Sequence, residues 1–594
     1  MKPGGDQPGA PGGFPDPPST APLGKAQLRQ RSRELLTTIL KDATPPELRV
    51  VGRTLYHASM VGVAAGLMGA AFFATLEFVQ RLLLEELGGY RPLRASGETF
   101  IRELGQPAHF RPWLVALLPA VGALIGGICS QLAPETYGGG GDAMINAFHH
   151  GDGQIRKRVS WVKALASIFT LGTGGSGGRE GPTMQIGGAL GSLCGRLLRV
   201  GVQERRILMV SGVAAGIAAV FRTPLGAALL AVEVLYRDDF ESDALIPAVL
   251  ASVTAYSVVI SIFGESTLFA HPGRFPFVIT HLWLYGLLAL MVSALAVMFL
   301  SALRGVQRIT ASLTIPMWAR PGLGGLAMGV FCVPIVVFIG WRLAQPGQGL
   351  GLFGGGYGAV QVAITGASWL PGGWAGAALL LFLCLAKIVA SSLTIGSGGS
   401  AGDFAPALVI GGLFGGAFGR VAQILIHDPR IDPGAFALVA MGTFYGGIAH
   451  TPLSSLVLVC ELAGSYDLLV PLMLAEGIAF VALRRRSLYH AQVKSRRESP
   501  VHRSVDVLRT TRVGAVMRMI SVNGVPIASR EFSVPADADL RTAAETMLAN
   551  KLREIQVTDA QGQVVGLLDE ADISRCYLDA ADQTNTSTSM PIKP

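Results

Sequence analysis

A glycine-rich coil that carries two charged residues lies between two apolar runs, at residues 172–188 of this 594-residue chain. The chain is 50% hydrophobic and only 15% charged, a composition typical of a polytopic membrane protein. A charged side chain at the centre of a bilayer costs roughly 2.5–3.5 kcal/mol, and irregular backbone at that depth must be buried or line a cavity. We therefore interpret Arg179 and Glu180 as parts of a functional site. The simpler interpretation is an ion pair that joins two helices.

The glycine-rich segment is duplicated within the chain. Residues 172–182 read GTGGSGGREGP, and residues 396–406 read GSGGSAGDFAP, and the two segments align without a gap. The match continues beyond the glycines, which a low-complexity sequence would not explain. Further matched pairs are Ile186 and Ile410, Gly187 and Gly411, Arg196 and Arg420, Thr223-Pro224-Leu225 and Thr451-Pro452-Leu453, and Glu233 and Glu461. The chain therefore contains two related halves.

Apolar spans of unequal length fill the region between residues 50 and 495. Many are shorter than the ~20 residues that a helix needs to cross ~30 Å of hydrocarbon. Short spans interrupted by Gly or Pro at matching places in two halves indicate broken helices that meet near the membrane midplane. We predict an all-α polytopic membrane protein built from inverted repeats, at about residues 50–240 and 276–484. The predicted spans are 54–84, 112–133, 159–174, 182–200, 207–220, 224–236, 243–263, 276–304, 321–344, 374–395, 404–426, 435–448, 452–464 and 466–484.

The regions outside these spans differ in composition. Within the N-terminal region 1–49, we expect disorder at residues 1–24 and a basic amphipathic helix at residues 25–42. Residues 496–579 are predicted to form a linker and a small α+β domain with a β-α-β-β-α pattern, and residues 580–594 a disordered tail. Basic clusters at 156–158 and 484–486 indicate cytoplasmic loops, so both termini are predicted to be cytoplasmic.

The formal charge of +8 and the six cysteines bear on possible partners. The basic residues lie outside the apolar runs, so they favour anionic lipid over nucleic acid as a partner. The cysteines are scattered, with neither a disulfide framework nor a metal-binding spacing. The N-terminus lacks the apolar segment of a cleaved signal peptide. We expect a multi-pass protein of the cell inner membrane or plasma membrane that needs no cofactor.

Helices that begin at mid-membrane supply an anion site without a formal cation. The first N–H groups of a helix have no partner within it, and its N-terminus carries about half a positive charge. Several such ends bind an anion weakly enough for it to exchange. Both glycine-rich coils lead into a proline, a residue suited to the first helical turn. We infer that the Glu180 carboxylate competes with an anion for these amides and that protonation releases it.

These motifs resemble those of the CLC family of chloride channels and proton/chloride antiporters. Residues 178–182, GREGP, are similar to the family's GREGP or GKEGP signature, and residues 402–406, GDFAP, resemble its GxFxP signature. Tyr489 matches the family's anion-coordinating tyrosine, although an aromatic anchor at the membrane interface is the alternative for this residue. With the duplication, the resemblance covers about residues 50–495. Residues 513–577 are similar to a CBS motif, a unit that many CLC proteins append.

The resemblance implies a homodimer with one anion pathway in each subunit and chloride as the ligand. Glu180 is then the gating residue. The Tyr489 hydroxyl and the backbone amides of Asp403 and Phe404 bind the central anion, and amides around Glu180 form an outer site. The full predicted set of anion-binding residues is Gly139, Gly178, Arg179, Gly181, Asp403, Phe404, Ala405 and Tyr489.

Several positions depart from the family's pattern. Gly139 stands where the GSGIP signature has serine, so a hydroxyl donor is missing, and Asp142, a residue type suited to a helix N-cap, replaces its proline. Val234 stands where proton-coupled members carry the second of two carboxylates, and we interpret the adjacent Glu233 as structural or interfacial. The CBS unit is single, and Asp569 stands where nucleotide binders commonly have threonine. Nucleotide binding is therefore not expected, and pairing with the other subunit's CBS unit is.

The predicted function is passive, glutamate-gated conduction of chloride or similar monovalent anions across the bilayer. The alternative is a proton-coupled anion antiporter of the same fold. Passive conduction is preferred because Val234 stands where proton-coupled members have a carboxylate. A remote alternative is an intramembrane serine protease, with Ser176 of a GxSG motif as the nucleophile and His450 as its base. That alternative leaves Glu180, Pro182 and the duplication unexplained, so no enzymatic activity is predicted.

Overall fold

The computed structural model describes residues 45–98, 109–270, 273–275, 278–343, 345–502, 508, 511–519, 532–550, 552–573 and 575–576. The disorder predicted for residues 1–24 and 580–594 and the helix predicted for residues 25–42 lie outside these residues. The domain boundaries at residues 49, 495 and 579 stay predictions.

Helices make up the first half of the membrane region. The proline-, glycine- and loop-bounded apolar spans of the sequence become helices of very different lengths. They are α1 (Pro45–Gln80, followed by a π-helical turn at Arg81–Leu87), α2 (Pro112–Ser130), α3 (Gly141–His149), α4 (Arg158–Gly172), α5 (Glu180–Leu197), α6 (Val202–Phe221), α7 (Pro224–Glu233) and α8 (Leu245–Phe263).

The second half follows the same order of long and short helices. They are α9 (Leu282–Ser312), α10 (Arg320–Arg342), α11 (Tyr357–Thr365), α12 (Gly373–Gly396), α13 (Phe404–Ile426), α14 (Pro433–Ala449), α15 (Pro452–Ala463) and α16 (Leu469–Leu483). The nine-residue helices α3 and α11 were not among the predicted spans, because each is short and begins at a glycine-rich turn. Helix α9 also runs eight residues beyond its predicted end at residue 304.

Seven helical segments among the described residues are long and apolar enough to cross a membrane. They are Gly52–Leu87, Pro112–Ser130, Ser242–Phe263, Ile279–Ser312, Arg320–Arg342, Gly373–Gly396 and Phe404–Ile426. Helices α7, α14, α15 and α16 are apolar but have only 10–17 residues. The mixture of full-length and short apolar helices agrees with the predicted broken helices.

The two halves repeat the same packing. Helix α5 packs on α6, and α13 packs on α14 in the equivalent way. The turns that precede the broken helices also match, because Gly140 and Gly356 have φ angles of 91° and 90°, while Gly174 and Gly398 have 104° and 95°. Such left-handed backbone suits glycine, which lacks a Cβ atom. The predicted all-α fold with inverted repeats is confirmed.

Two matched glycines let the helices of each half approach closely. A Cβ atom added to Gly187 of α5 would lie 2.1 Å from the Gly212 carbonyl oxygen of α6. A Cβ atom added to Gly411 of α13 would lie 2.4 Å from the Ala440 carbonyl oxygen of α14. Small residues at such crossings are how helices pack in lipid, where the hydrophobic effect does not drive them together.

The matched glutamates Glu233 and Glu461 tie the two halves together by capping each other's helices. Glu233, at the end of α7, accepts hydrogen bonds from the N–H groups of Leu453 (3.1 Å) and Ser454 (2.7 Å) at the start of α15. Glu461 of α15 accepts from Leu225 (3.2 Å) and Gly226 (2.8 Å) at the start of α7. Each carboxylate therefore satisfies free amides at a helix N-terminus.

The C-terminal unit is a small mixed sheet with one helix. Its strands β1 (Arg518–Met519), β2 (Ser533–Pro535), β3 (Glu554–Thr558) and β4 (Val564–Asp569) form a sheet in the order β1-β4-β3-β2. Strands β2 and β3 are parallel and are joined through α17 (Leu540–Ala549), whereas β3 and β4 are antiparallel. This is the predicted β-α-β-β order, and helical residues follow at 570–573.

Replacing Glu461 by alanine leaves the Leu225 and Gly226 amides without their carboxylate. We expect a loss of about 1 kcal/mol of stability, the net contribution of a typical hydrogen bond, because these amides are only partly buried. The measurement is the thermal unfolding midpoint of the detergent-solubilised protein. Glu545→Ala is the control, because that side chain is 65% exposed in its pair with Arg541. Equal midpoints for the two variants would contradict the capping role.

Candidate functional site

The two glycine-rich coils meet through their backbones. The Gly178 N–H donates to the Gly402 carbonyl, and the Gly402 N–H donates to the Gly178 carbonyl, both at 2.7 Å. This pairing holds the N-termini of α5 and α13 side by side. It also corrects one prediction: the Gly178 amide is already paired and is not available to an anion in this structure.

Glu180 lies at this meeting point and is only 1% exposed. The Tyr357 hydroxyl, from the first residue of α11, donates to Glu180 Oε1 at 2.6 Å. Glu180 Oε2 has no hydrogen-bond partner among the described residues. A Cβ atom added to Gly178 would lie 2.1 Å from this oxygen and 3.0 Å from the Ala405 backbone nitrogen. The free oxygen therefore occupies the space next to the first amides of α13, as expected for a gate.

Arg179 lines a small cavity, here called the Arg179 cavity, on one side of Glu180. The cavity has a volume of about 50 Å³, and Glu98, Phe353 and Tyr357 are among its other lining residues. The Arg179 guanidinium lies 3.7 Å from Glu98 and 3.8 Å from Glu180. It also stacks on the Phe73 ring, 4.3 Å from its centroid, which fixes the positive charge at the mouth of the site.

A second space, the Tyr489 cavity, brings together three of the predicted residues. It has a volume of about 310 Å³ and is lined by Gly139, Asp403 and Tyr489, among others. The Tyr489 hydroxyl donates to Asp403 Oδ1 at 3.2 Å. A Cβ atom added to Gly139 would lie 3.2 Å from Asp403 Oδ2. The missing side chain at Gly139 thus leaves room for the Asp403 carboxylate. The role predicted for Asp403 concerned only its backbone amide, so the position of its side chain was not predicted.

The segment that carries Tyr489 is held by the start of α3. The Asp142 carboxylate accepts a hydrogen bond from the Ala491 N–H at 2.9 Å. The N-cap position of α3 is Gly140, so the N-cap role considered for Asp142 is wrong. A Cβ atom added to Gly141 would lie 2.5 Å from Cε1 of Tyr489, so the tyrosine ring packs directly on this glycine.

Aromatic side chains surround the start of α13. The Phe404 ring lies 4.2 Å from the Tyr445 ring and 5.0 Å from the Phe221 ring, measured between centroids. Phe221 in turn lies 6.1 Å from Tyr357, the partner of Glu180. The side chain of Phe404 is therefore buried in the protein. Like Ala405, it offers to the site only an N–H group that the helix itself does not use.

Two buried lysines hold the turns that precede α3 and α11, and neither was among the predicted site residues. Lys163 donates to the carbonyls of Thr136 (3.0 Å) and Gly138 (2.6 Å), in the turn before α3. Lys387 donates to the carbonyls of Leu352 (3.4 Å) and Gly354 (2.8 Å), before α11. The signal was present, because the two lysines lie at matched positions of the duplication. Tyr357 could not be found in this way, because the matching position at the start of α3 is a glycine.

The residues of the protease alternative are not brought together. The Ser176 hydroxyl pairs with the Ser391 hydroxyl at 3.0 Å, and the Ser176 N–H donates to Thr394. His450 bonds the Arg486 carbonyl through Nε2 at 3.0 Å. Within the described part of the chain, no hydrogen bond links Ser176 to a histidine. A serine without an adjacent base is a poor nucleophile.

Asp569 of the C-terminal unit is engaged within its own fold. It accepts a hydrogen bond from the Asp572 N–H at 2.8 Å and forms an ion pair with Arg518 at 2.7 Å. The Asp572 N–H, together with the Arg518 guanidinium, holds the pKa of Asp569 below its ordinary value. The residue is thus negatively charged at neutral pH.

Two segments of the chain match known protein families. Residues 121–484 match the family described as Voltage gated chloride channel, and residues 522–579 match the CBS domain. The H(+)/Cl(-) exchange transporter ClcA of Salmonella typhi is 30% identical over 459 residues, which cover 76% of this chain and 89% of that protein. The ClcA protein of Cronobacter sakazakii is 30% identical over 463 residues, which cover 77% and 90%.

Solved structures share the fold. A slow cyanobacterial Cl-/H+ antiporter superposes with a TM-score of 0.60 at 22% identity and covers 73% of this chain and 94% of its own. A CLC-type fluoride/proton antiporter gives a TM-score of 0.60 at 22% identity, with 75% and 98% covered. These likenesses concern the fold alone.

The duplicated fold and the family match over residues 121–484 define a multi-pass membrane transport protein. The chain belongs to the CLC family, with a CBS domain at its C-terminus. The resemblance inferred from the GREGP and GDFAP segments is thereby confirmed.

Replacing Tyr357 by phenylalanine removes the hydroxyl that holds Glu180. A hydrogen bond to a charged group contributes about 1.5–3 kcal/mol, so we expect the anion flux at neutral pH to rise roughly tenfold or more as the gate is released. The measurement is anion efflux from proteoliposomes. Tyr466→Phe, at a site that is 62% exposed, is the control. An unchanged flux in the Tyr357 variant would show that this hydroxyl does not restrain the gate.

Proposed function

We propose that this chain is a proton-coupled antiporter of chloride or similar monovalent anions, with one pathway in each subunit of a homodimer. The observation that supports it best is the buried Glu180 carboxylate, one oxygen of which lies next to the first amides of α13. The relatives are named H(+)/Cl(-) exchange transporters, and the cyanobacterial structure is that of a Cl-/H+ antiporter. These names support the antiporter alternative of the sequence analysis better than passive conduction.

The proposed cycle uses one protonation event at the gate. Charged Glu180 competes with an anion for the amides at the start of α5 and α13, and Tyr357 stabilises the charged form. When a proton binds Glu180, the carboxyl group loses its attraction for the amides, and an anion replaces it. An anion and a proton then exchange through the same place. Arg179, which lines the Arg179 cavity, attracts the anion towards Glu180 from that cavity.

Reconstituted protein tests the proposal directly. Under opposed chloride and proton gradients, we expect the wild-type chain to move protons uphill with a fixed ratio to chloride, read from the reversal potential. Glu180→Gln is expected to abolish proton movement and to leave an anion flux that no longer depends on pH. Glu545→Gln, on the exposed face of α17, is the control.

Two results would overturn the assignment. A wild-type reversal potential equal to that of chloride alone would establish passive conduction instead of antiport. Unchanged pH dependence in the Glu180 variant would remove this residue from the gate. Repeating the measurement with nitrate and fluoride identifies the preferred anion.

The Asp403 carboxylate sets the anion preference of the Tyr489 cavity in our proposal. It takes the Tyr489 hydroxyl as its own hydrogen-bond donor and places negative charge beside the predicted central anion site. Two like charges about 4 Å apart repel by roughly 4 kcal/mol at an effective dielectric constant near 20. Lys163 offsets part of this repulsion, because it is buried on the other side of the Gly138 turn. A weakly held, rapidly exchanging anion is the consequence.

Replacing Asp403 by asparagine removes this charge and keeps the size of the side chain. We expect chloride affinity to rise at least about tenfold, since relief of even ~1.4 kcal/mol corresponds to that factor. The measurement is isothermal titration of the purified protein with chloride. Asp238→Asn, which lines a different cavity, is the control. Equal or weaker affinity in the Asp403 variant would show that its carboxylate does not face the anion.

The remaining parts of the proposal follow from the family and the charge pattern. The protein transports ions and has no enzymatic activity, needs no cofactor, and does not bind nucleic acid. It lies in the cell inner membrane with both termini cytoplasmic, because the basic clusters 156–158 and 484–486 are typical of cytoplasmic loops. The CBS domain binds no nucleotide, since charged Asp569 would repel phosphate, and it pairs with the CBS domain of the partner subunit.

A further inference from the structure

Proton-coupled exchange needs a second group that accepts protons inside the protein. The position that the family resemblance assigns to this group is Val234, which is fully buried among apolar residues and cannot bind a proton. The neighbouring Glu233 is held as a cap by the Leu453 and Ser454 amides. Protons in this chain therefore cannot pass through a carboxylate at position 234.

Glu476 of α16 is a buried carboxylate that no other role explains. It is 2% exposed, and its Oε1 atom accepts a hydrogen bond from the Ser455 hydroxyl at 2.5 Å. Its Oε2 atom has no hydrogen-bond partner among the described residues. A buried carboxylate with an unsatisfied oxygen is costly within a membrane, and such residues mark proton or ion pathways.

Glycine at position 446 makes room for this carboxylate. A Cβ atom added to Gly446 of α14 would lie 2.4 Å from Glu476 Oε2 and 2.3 Å from Ser455 Oγ. The space is thus bounded by three helices, α14, α15 and α16. The free oxygen is therefore enclosed by protein.

A solvent-facing cavity approaches Glu476 from one side. This Glu233 cavity has a volume of about 400 Å³ and is lined by Glu233, His450 and Arg484, among others. Adjacent serines at the start of α15 connect its wall to Glu476, because the Ser454 hydroxyl bonds Glu233 and the Ser455 hydroxyl bonds Glu476. Protons in the cavity thus have a short polar route to the buried carboxylate.

The glycine that makes room for Glu476 is adjacent in sequence to an aromatic residue near the anion site. Gly446 follows Tyr445, the ring of which lies 4.2 Å from the Phe404 ring at the start of α13. The Tyr445 hydroxyl is buried and has no hydrogen-bond partner among the described residues, although it lies near the Tyr489 hydroxyl. Glu476 is therefore linked to the Glu233 cavity through Ser454 and Ser455, and to the aromatic side chains near the anion site through the Tyr445-Gly446 backbone.

We propose that Glu476 is the internal proton-transfer residue of this chain, in place of the carboxylate that is missing at position 234. This inference rests on the proposed antiport. A proton from the Glu233 cavity binds Oε2, neutralises the carboxylate, and leaves on the side of Tyr445 towards Glu180, which restores the charged form. Among the described residues, the ionisable group that interacts with Glu476 electrostatically is Glu233 from α7, while Arg304 of α9 bonds the Ser487 carbonyl.

The test compares proton and anion fluxes of the reconstituted full chain. For Glu476→Gln we expect proton flux to fall about 100-fold, the scale for loss of a positioned proton-transfer group, while anion flux continues. The reversal potential then moves to that of the anion alone. This readout does not depend on how much protein folds. Glu461→Gln, a partly buried carboxylate with a capping role, is the control and keeps the wild-type ratio.

Three outcomes separate the inference from the function on which it rests. Wild-type protein without proton coupling would overturn the proposed antiport and this inference with it. Coupled wild-type protein with an unchanged ratio in Glu476→Gln would overturn the inference alone. Where that variant does not reconstitute, Ser455→Ala removes the one hydroxyl that bonds Glu476, and we expect the ratio of proton to anion flux to change about tenfold. An unchanged ratio there would also contradict the role of Glu476.

Discussion

The paired backbones of Gly178 and Gly402 determine where every functional group of the membrane region lies. Each residue satisfies the N–H and C=O of the other at 2.7 Å, in a place where neither lipid nor helix supplies a partner. A Cβ atom on Gly402 would lie 2.6 Å from the Gly181 nitrogen, so the contact requires glycine. Because the pairing joins the two halves at equivalent positions, it brings two helix N-termini to one point. Glu180 is the side chain that lies at this point.

The halves share a framework but differ in charge at equivalent positions. Arg179 matches Asp403 in the duplication, so one cavity carries a cation beside the path and the other carries an anion. Tyrosines accompany both carboxylates: Tyr357 bonds Glu180, and Tyr489 bonds Asp403. The second tyrosine comes from the end of the membrane region and packs on Gly141, which occupies the same place in α3 as Tyr357 in α11. An almost symmetric scaffold thus produces a path with two unlike ends.

Much of this arrangement was predictable from the sequence, because the duplication and the GREGP and GDFAP segments fix which helices are broken. The cross-capping by Glu233 and Glu461 also agrees with their matched positions and with the structural role predicted for Glu233. The direction of the Asp403 side chain was not predictable, since it depends on the space that Gly139 leaves in a different helix. The helices α3 and α11 were not predicted, because nine residues give too short a hydrophobic pattern to indicate a helix. Glu476 gave no signal, since its neighbours Ser455 and Gly446 lie far away in sequence.

Charge burial separates the carboxylates of this membrane region into two groups. Glu233 and Glu461 bond two backbone amides each, and the buried lysines Lys163 and Lys387 bond two carbonyls each, so these side chains are held in place. Glu180 and Glu476 each have one hydroxyl partner and keep one oxygen free within the described chain. A carboxylate with a free oxygen can take up a proton at that atom without breaking a hydrogen bond. Glu180 and Glu476 therefore each keep an oxygen that can take up a proton, and Gly446, which makes room for Glu476, directly follows Tyr445, whose ring lies against Phe404 at the start of α13.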